Sequence, residues 1–286
     1  MDKQARKKRI RLWTLAALIL LILLFAVALR QDLRTAKYTI GSDKVKNEVR
    51  IVMLSDLHGS FYGKDQRALL ERIDALSPHA ILLAGDIFDE GGDFLAAEAL
   101  FEGIAKKYPC YYVSGNHEYP ADFAAITAFL QKHGIICLWG QGQTVTLNGQ
   151  PLYLAGLADE NHTFYVKKPL LPLPKEQLAA IEAARSKEEQ ALFSILLCHR
   201  PHPELFKDSG YELVLSGHNH GGQVRIPWLL NGLFAPGEGF FPKYGGGSYE
   251  MGDDSLLIVG RGLAKSSIPR IFNRPEVVLV TITPEQ

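Results

Sequence analysis

The stretch Leu213–Gly222 has the sequence Leu-Val-Leu-Ser-Gly-His-Asn-His-Gly-Gly. Its apolar start, Leu213–Leu215, has the length and residue types of a buried strand. His218 and His220 follow, and on extended backbone a spacing of two would point both imidazoles to the same side. Imidazole pairs on rigid backbone suit a divalent metal ion, although a surface loop can also carry two histidines by chance.

The same arrangement, an apolar run that ends in potential metal ligands, occurs at four other places in the chain. Asp56 and His58 follow Val49–Leu54, Asp86 follows Ala80–Ala84, Asn116 and His117 follow Cys110–Ser114, and His199 follows Leu192–Cys198. Ligands of open α/β sheets bind at the carboxyl ends of the strands, so we expect these side chains to share one site. His202 competes with His199, but it lies beyond Pro201 and does not directly end a strand.

Seven of these groups are potential metal ligands: Asp56, His58, Asp86, Asn116, His199, His218 and His220. Seven ligands are too many for one ion with an open coordination position. They suit two ions about 3.5–4 Å apart that share a carboxylate, a pair that lowers the pKa of a bridging water. Nitrogen and oxygen ligands without thiolate favour Mn, Fe, Zn or Ni over Mg or Ca.

The order Asp-x-His, Gly-Asp, Gly-Asn-His-Glu, His and Gly-His-x-His resembles that of the calcineurin-like dinuclear metallophosphoesterases, over about residues 48–285. The resemblance implies an α/β fold, a four-layer α/β/β/α sandwich with two mixed β-sheets. It also implies that Asp56, His58 and His220 bind the first metal, that Asn116, His199 and His218 bind the second, and that Asp86 bridges both. His117 would protonate the leaving oxygen or bind phosphate, and Asp89 could orient His117 unless it is an ordinary loop acid.

Three further features refine this class. Glu90 stands where the protein phosphatases of the family have an arginine, which argues against a serine/threonine protein phosphatase. The blocks 217–225 and 268–276 resemble a branch of bacterial membrane-attached phosphoesterases, some of them similar to enzymes that cleave UDP-diacylglucosamine. Arg225 and Arg261 are candidate phosphate clamps by charge type, with a structural or solvated role as the alternative. His162 could line the substrate entrance.

The N-terminus has the pattern of a membrane anchor. Residues 1–11 carry six lysines and arginines, and residues 12–29 form an uncharged apolar run of 18 residues, at the short end for a spanning helix of about 17–25 residues. The basic segment should stay cytoplasmic, which places the catalytic domain, residues 48–286, outside the cytoplasm after a polar linker at 30–47. A cleaved and secreted form is the alternative, because Ala26-Val27-Ala28 resembles a signal-peptidase site.

The remaining pattern predicts two packed sheets with helices outside them, because strands alternate with helices until about residue 215 and then follow one another. Residues 223–226 are predicted to be a short exposed strand, and residues 227–250 a long loop.

The charges of the chain are balanced, because lysine plus arginine and aspartate plus glutamate both number 31. A chain without basic excess is poorly suited to non-specific nucleic-acid binding, so no nucleic-acid partner is expected.

The leading hypothesis is a membrane-anchored dimetal phosphoesterase. A phosphodiester or pyrophosphate substrate, lipid-linked or a nucleotide sugar, is preferred because the anchor would hold the site near a membrane. The alternatives are a phosphomonoesterase of the same fold, a non-catalytic metal-binding module, and a metal-dependent amidase or peptidase. The last lacks the His-Glu-x-x-His helix that such enzymes often use.

Overall fold

Two six-stranded sheets form the centre of the computed structural model, which describes residues 3–91, 94–160, 172–252, 255–265 and 270–285. The strands are β1 Arg34–Ser42, β2 Val49–Leu54, β3 Ala80–Ala84, β4 Cys110–Val113, β5 Ile136–Cys137, β6 Gln141–Leu147, β7 Gln150–Gly156, β8 Ser194–Leu197, β9 Leu213–Ser216, β10 Phe234–Ala235, β11 Gly239–Phe240, β12 Gly247–Gly252, β13 Ser255–Val259 and β14 Glu276–Pro284. The helices are α1 Lys3–Ala28, α2 Arg67–Leu76, α3 Leu95–Ile104, α4 Phe123–Lys132, α5 Pro174–Ala184, α6 Lys187–Gln190 and α7 Pro203–Phe206. The turns Lys64–Gln66 and His220–Gly222 are 3₁₀-helical.

Both sheets are mixed. The first has the order β1-β14-β2-β3-β4-β5, in which only β14 and β2 pair antiparallel. The second has the order β12-β13-β9-β8-β7-β6 and is antiparallel only at its two outer pairs. The strands β2 and β3 are parallel, and so are β8 and β9. The segments that follow the two strands of each pair therefore leave the sheet at the same edge, where the strands have their carboxyl ends.

Three apolar cores separate four layers. One lies between the two sheets and includes Ile51, Leu82 and Leu215. A second packs the other face of the first sheet against α2, α3 and α4, and a third packs the second sheet against α5. Strands buried on both faces are near-continuous apolar runs, as β3 (Ala-Ile-Leu-Leu-Ala) and β9 are here. The predicted four-layer α/β/β/α sandwich with two mixed sheets is confirmed.

The predicted linker at residues 30–47 is wrong for its central part. Arg34–Ser42 is β1, which pairs parallel with β14 over nine residues, from Arg34 opposite Glu276 to Ser42 opposite Pro284. Leu33 and Val45, at either side of β1, are buried in the apolar cores. The folded part of the chain therefore includes residues before 48.

Two smaller predictions also differ from the structure. Residues 223–226 form no strand, because Val224 and Ile226 make only isolated bridges to Ile271 and Leu230. The predicted loop at 227–250 contains the short pair β10–β11 and most of β12. The five predicted buried runs lie in β2, β3, β4, β8 and β9, and their boundaries differ from the observed ones by at most two residues.

The helix α1 begins at Lys3 and runs without a break to Ala28. Its part Arg6–Ala28 is, by length and composition, long and apolar enough to cross a membrane. Its large apolar side chains, such as Trp13 and Phe25, are exposed. A signal sequence has the same properties, so this finding leaves anchor and leader as alternatives.

Candidate metal centre

The five predicted ligand segments meet at one place. They follow β2, β3 and β4 of the first sheet and β8 and β9 of the second, so the carboxyl ends of both sheets contribute to a shared pocket. His218 donates its backbone N–H to Oδ1 of Asp56 at 2.9 Å, which joins the end of β9 to the end of β2. His117 likewise donates its backbone N–H to Oδ1 of Asp86 at 2.9 Å.

Asp56, His58 and His220 form the first cluster of potential ligands. Each offers one atom that lies within 4.8 Å of the others'. Nε2 of His220 lies 3.8 Å from Oδ1 of Asp56, and the rings of His58 and His220 are 5.1 Å apart. This cluster contains the three residues that the resemblance assigns to the first metal.

Asp86, His199 and His218 form the second cluster, again with ligand atoms within 4.8 Å of one another. Nδ1 of His218 lies 3.1 Å from Nε2 of His199. Oδ1 of Asn116 lies 3.2 Å from the same His199 nitrogen, so Asn116 borders this cluster. All seven predicted metal ligands are thus brought together.

Asp86 lies between the two clusters. Its Oδ2 is 3.4 Å from Nε2 of His58 in the first cluster and 3.1 Å from Nε2 of His199 in the second. The carboxylate is 1% exposed. One carboxylate oxygen of Asp86 thus adjoins an imidazole of each cluster.

The chemistry of these side chains fits divalent cations. Oδ2 of Asp56, Nε2 of His58 and Nδ1 of His220 are buried and make no hydrogen bond within the described residues. Buried polar atoms are nearly always satisfied, so unsatisfied acceptors in one pocket indicate a missing electrophile.

Burial, followed by the charge of His199, keeps the pKa of His218 well below its usual range, and burial lowers that of His220 to about 4. Neutral imidazole is the form that binds metal, so His218 and His220 are ready to bind. At His199 burial is outweighed by nearby carboxylates, chiefly Asp86, and the pKa is raised to about 10, so this imidazole would release a proton when it binds a metal ion.

Backbone carbonyls orient two of the imidazoles. Nδ1 of His199 donates to the carbonyl of Ala84 at 2.8 Å, which leaves Nε2 facing the cluster. Nε2 of His218 lies between the carbonyl of Pro236 at 3.1 Å and Nη1 of Arg200 at 3.0 Å, contacts that hold the ring with Nδ1 facing His199. Such outer contacts fix the tautomer and ring orientation of metal-binding histidines.

The backbone at the ligands is strained. Asp56, His58, Asp86, His218 and His220 have φ between +44° and +72°. Non-glycine residues in this region cost about 1–3 kcal/mol each and cluster at functional sites. Their spacing on extended backbone predicts that His218 and His220 point to the same side. That prediction is wrong because the backbone is not extended there, and the two side chains belong to different clusters.

Small residues allow the loops to approach this closely. A Cβ at Gly115 would lie 2.8 Å from Cγ of Asp86, and one at Gly217 would lie 2.7 Å from Oδ2 of Asp56. Both separations are shorter than any real contact of a Cβ atom. Gly115 and Gly217, which directly precede the predicted ligands Asn116 and His218, are therefore packing requirements of the pocket.

His117 lies beside the first cluster with two carboxylates at its ring. Nδ1 of His117 is 3.4 Å from Oδ1 of Asp89 and 3.3 Å from Oε1 of Glu90. The same oxygen of Asp89 is 3.5 Å from Nδ1 of His58. Asp89 therefore lies beside both His117 and His58, and its predicted role in orienting His117 stays a prediction. Glu90 is a second acid at the ring of His117. In the sequence it stood out only because protein phosphatases of the family have an arginine at this position.

Two further residues of the pocket, Glu118 and Arg200, were not predicted from the sequence. Glu118 is fully buried and accepts the backbone N–H groups of Asp86, Ile87, Phe88 and Gly115 at 2.7–3.2 Å. Arg200 lies 3.0 Å from Nε2 of His218 and is paired with Asp159 at 2.8 Å. Their positions next to ligands in the chain, after His117 and after His199, were the available signals.

The phosphate-clamp interpretation of Arg225 and Arg261 does not fit their places in the structure. Both line a cleft to which none of the seven ligands contributes among the described residues. Arg225 is hydrogen-bonded to the carbonyl of Gly221 and to Asn231, and Arg261 is paired with Glu276 at 3.5 Å. The interpretation of His162 lies outside the described residues.

A two-sheet sandwich with two adjoining clusters of histidine and carboxylate ligands at its strand ends defines a metal-dependent hydrolase of the dinuclear class. A family model described as calcineurin-like phosphoesterase matches residues 49–222, and the chain belongs to this family.

Two bacterial relatives have a length similar to that of this chain. YpbG of Bacillus subtilis is 25% identical over 278 residues, which cover 94% of each chain. The phosphodiesterase YaeI of Escherichia coli is 28% identical and covers 82% of each chain. Among solved structures, the NAD nucleotidase NadN of Haemophilus influenzae has a TM-score of 0.53 at 16% identity, over 76% of this chain and 46% of that one. The last similarity concerns the fold.

Proposed function

We propose that this phosphoesterase is a membrane-anchored enzyme that hydrolyses a phosphodiester or pyrophosphate bond with two divalent metal ions. The position of Asp86 between two ligand clusters is the observation that carries the proposal. The name of the relative YaeI, a phosphodiesterase, supports the diester. A phosphomonoesterase of the same fold is the alternative that the assay below separates.

Seven side chains would hold the ions. Asp56, His58 and His220 would bind the first, Asn116, His199 and His218 the second, and Asp86 both. When bound, such a pair lowers the pKa of a water to near neutrality and polarises the phosphoryl oxygens. Mn, Fe, Zn and Ni all suit these ligands, and metal analysis of the purified protein would distinguish them.

His117 would protonate the leaving oxygen. Its backbone N–H donates to Asp86, and the carboxylates of Asp89 and Glu90 face Nδ1 at 3.4 and 3.3 Å without a hydrogen bond to it among the described residues. With Nδ1 toward these acids, Nε2 would give its proton to the leaving group. The side chain of His117 is 30% exposed, so a substrate can reach it.

A cleft of about 570 Å³ beside the second cluster would hold the rest of the substrate. His218 forms part of its wall, together with the cations Lys175, Arg200 and Lys243, the carboxylates of Glu160, Glu204 and Glu238, and the apolar side chains of Leu205 and Tyr244. Three acids match the three cations, so the cleft suits a substrate with both polar and apolar parts. The preference for a pyrophosphate or diester, lipid-linked or a nucleotide sugar, over a small monoester is supported by the name of YaeI and by the apolar helix α1.

The test is hydrolysis by the full chain in neutral detergent. We expect turnover of bis-nitrophenyl phosphate at a higher rate than of nitrophenyl phosphate, its loss with a chelator, and its return on addition of Mn²⁺. The same preparation is then given a lipid-linked pyrophosphate and a nucleotide sugar. Turnover that a chelator leaves unchanged would contradict the metal mechanism, and faster cleavage of the monoester would favour the phosphomonoesterase.

His117→Asn is expected to lower kcat most for substrates with poor leaving groups. A nitrophenolate leaves without protonation, whereas an alkoxide needs a general acid, which contributes about 10²–10⁴-fold. We therefore expect a loss of about 10³-fold on an alkyl diester and a much smaller one on the nitrophenyl diester. His133→Asn is the matched control, because His133 ends α4 and contacts the carbonyl of Phe129. Equal losses on both substrates would contradict the general-acid role.

The membrane anchor rests on α1 and on the basic residues before its apolar part. We propose that α1 stays attached and that the catalytic domain lies outside the cytoplasm. Washing isolated membranes with alkaline carbonate tests the attachment. A chain found in the wash, shortened after Ala28, would support the cleaved form instead.

A further inference from the structure

Three arginines line a cleft of about 530 Å³ that is separate from the candidate metal centre. Arg34 comes from the start of β1, Arg225 from the segment after the His220–Gly222 turn, and Arg261 from the segment after β13. A Cβ placed on Gly246 would lie 3.4 Å from Nη1 of Arg225 and 2.9 Å from Cγ of Arg261, so the two side chains lie on either side of one glycine. Widely separated parts of the chain thus bring three cations together.

The positive charge of this cleft is only partly balanced. The buried carboxylate of Glu276 lies 3.6 Å from Nε of Arg34 and 3.5 Å from Nε of Arg261. Arg225 pairs with no acid among the described residues and is held by Asn231 and the carbonyls of Gly221 and Gly246. Nε of Arg261 is buried and makes no hydrogen bond within the described part of the chain. Three guanidinium groups and one carboxylate leave an excess of two positive charges.

The cleft lies where α1 joins the folded domain. Phe272, which forms part of its wall, donates its backbone N–H to the carbonyl of Ala28 at 2.7 Å. Gln31 donates to the carbonyl of Arg270 at 3.1 Å, and Arg274 is paired with Asp32. These contacts hold the end of α1 against the segment that borders the cleft. If α1 spans a bilayer, the cleft is at the height of the lipid headgroups.

The rim of the cleft is apolar and exposed. Trp228 is fully exposed, Leu229 is 81% exposed and Ile226 is 44% exposed. Contiguous exposed apolar side chains indicate an interaction surface, and tryptophan is enriched at the boundary between headgroups and acyl chains. Phosphate is the anion whose geometry matches guanidinium groups, and cationic sites next to membrane helices bind anionic headgroups.

We propose that the cleft of Arg34, Arg225 and Arg261 binds the phosphate of an anionic phospholipid headgroup while Trp228 and Leu229 enter the lipid interface. The proposal rests on the membrane-anchored part of the proposed function and adds a second site to it. A lipid held there would fix the orientation of the metal centre relative to the membrane surface.

The experiment uses the full chain in neutral detergent, titrated with dioctanoyl phosphatidylglycerol and followed by tryptophan fluorescence. We expect saturable binding of this lipid, no saturation with dioctanoyl phosphatidylcholine, and loss of the signal in Trp228→Phe. Arg225→Gln is expected to weaken binding at least about tenfold, because it removes a charge-assisted hydrogen bond. Arg72→Gln, the same change on the exposed face of α2, is expected to leave binding unchanged. Arg34→Gln, on a side chain that is 40% exposed, is the second variant if Arg225→Gln does not fold.

Three outcomes would overturn the lipid site. Equal binding of the two lipids, or unchanged binding in both arginine variants, would remove it. Saturation by inorganic phosphate at the lipid's own concentrations would make it a site for free phosphate. Loss of phosphodiester hydrolysis in Arg225→Gln with lipid binding intact would assign the arginine to the metal centre. Hydrolysis by the unaltered chain is measured in the same preparation, so a failure of the proposed function is recognised separately.

Discussion

Asp86→Asn is expected to lower kcat on an aryl phosphodiester by about 10³-fold, equivalent to about 4 kcal/mol of transition-state stabilisation. The substitution keeps the size of the side chain and removes its charge. Oδ2 of Asp86 lies within 3.4 Å of His58 in one cluster and His199 in the other, so both clusters lose an anionic ligand together. We therefore expect the metal content of the purified variant to fall below that of the unaltered chain.

The control is Asp208→Asn, the same change on an exposed residue. It should alter neither kcat nor metal content. The fold of Asp86→Asn is checked by circular dichroism. We expect the fold to be retained with lower stability, because the asparagine oxygen can still accept the backbone N–H of His117, whereas the attraction of the carboxylate to His199 and His58 is lost. A variant that keeps full metal content and full turnover would contradict the bridging role of Asp86 and, with it, the two-ion mechanism.

The strands of the central sheets could be predicted because a strand that is buried on both faces consists of consecutive apolar residues. β3 and β9 are uninterrupted apolar runs, and the structure has them where the runs lie. β1 was missed because it is an edge strand with exposed polar side chains such as Lys37. Its partner, β14, is about 240 residues away in the chain, so no local pattern shows the pairing.

The ligands could be predicted because each follows a strand, and parallel strands end at a common edge. Their backbone conformation could not, because the left-handed φ of Asp56 and His220 depends on contacts from other segments. Charge type alone was misleading for Arg225 and Arg261. Those arginines lie in a different cleft, and Arg200, which was not singled out, is the one next to a ligand.

Glu118→Gln is expected to lower the free energy of unfolding by about 2–4 kcal/mol, because hydrogen bonds to a charged group contribute about 1.5–3 kcal/mol each and are not additive. One oxygen of Glu118 accepts from Ile87 and Phe88, and the other from Asp86 and Gly115. The amide of glutamine presents two donors to one of these pairs. Burial and the charge of Asp86 raise the pKa of Glu118 to about 7, so the variant and the unaltered chain are compared above pH 7, where the carboxylate is charged.

These four bonds hold the segment after β3 against the segment after β4, and Asp86 and His117 lie on those segments. We therefore expect Glu118→Gln to lose metal affinity together with stability, whereas Asp86→Asn loses metal and keeps its fold. Urea unfolding in the presence of a chelator measures the free energy of unfolding of the metal-free protein, separately from its metal affinity. Glu102→Gln, on the exposed side of α3, should stay within about 0.5 kcal/mol of the unaltered chain. If Glu118→Gln unfolds at the same urea concentration as Glu102→Gln, the carboxylate does not support the ligand loops, and their left-handed conformations must be maintained by the packing of Gly115 and Gly217 instead.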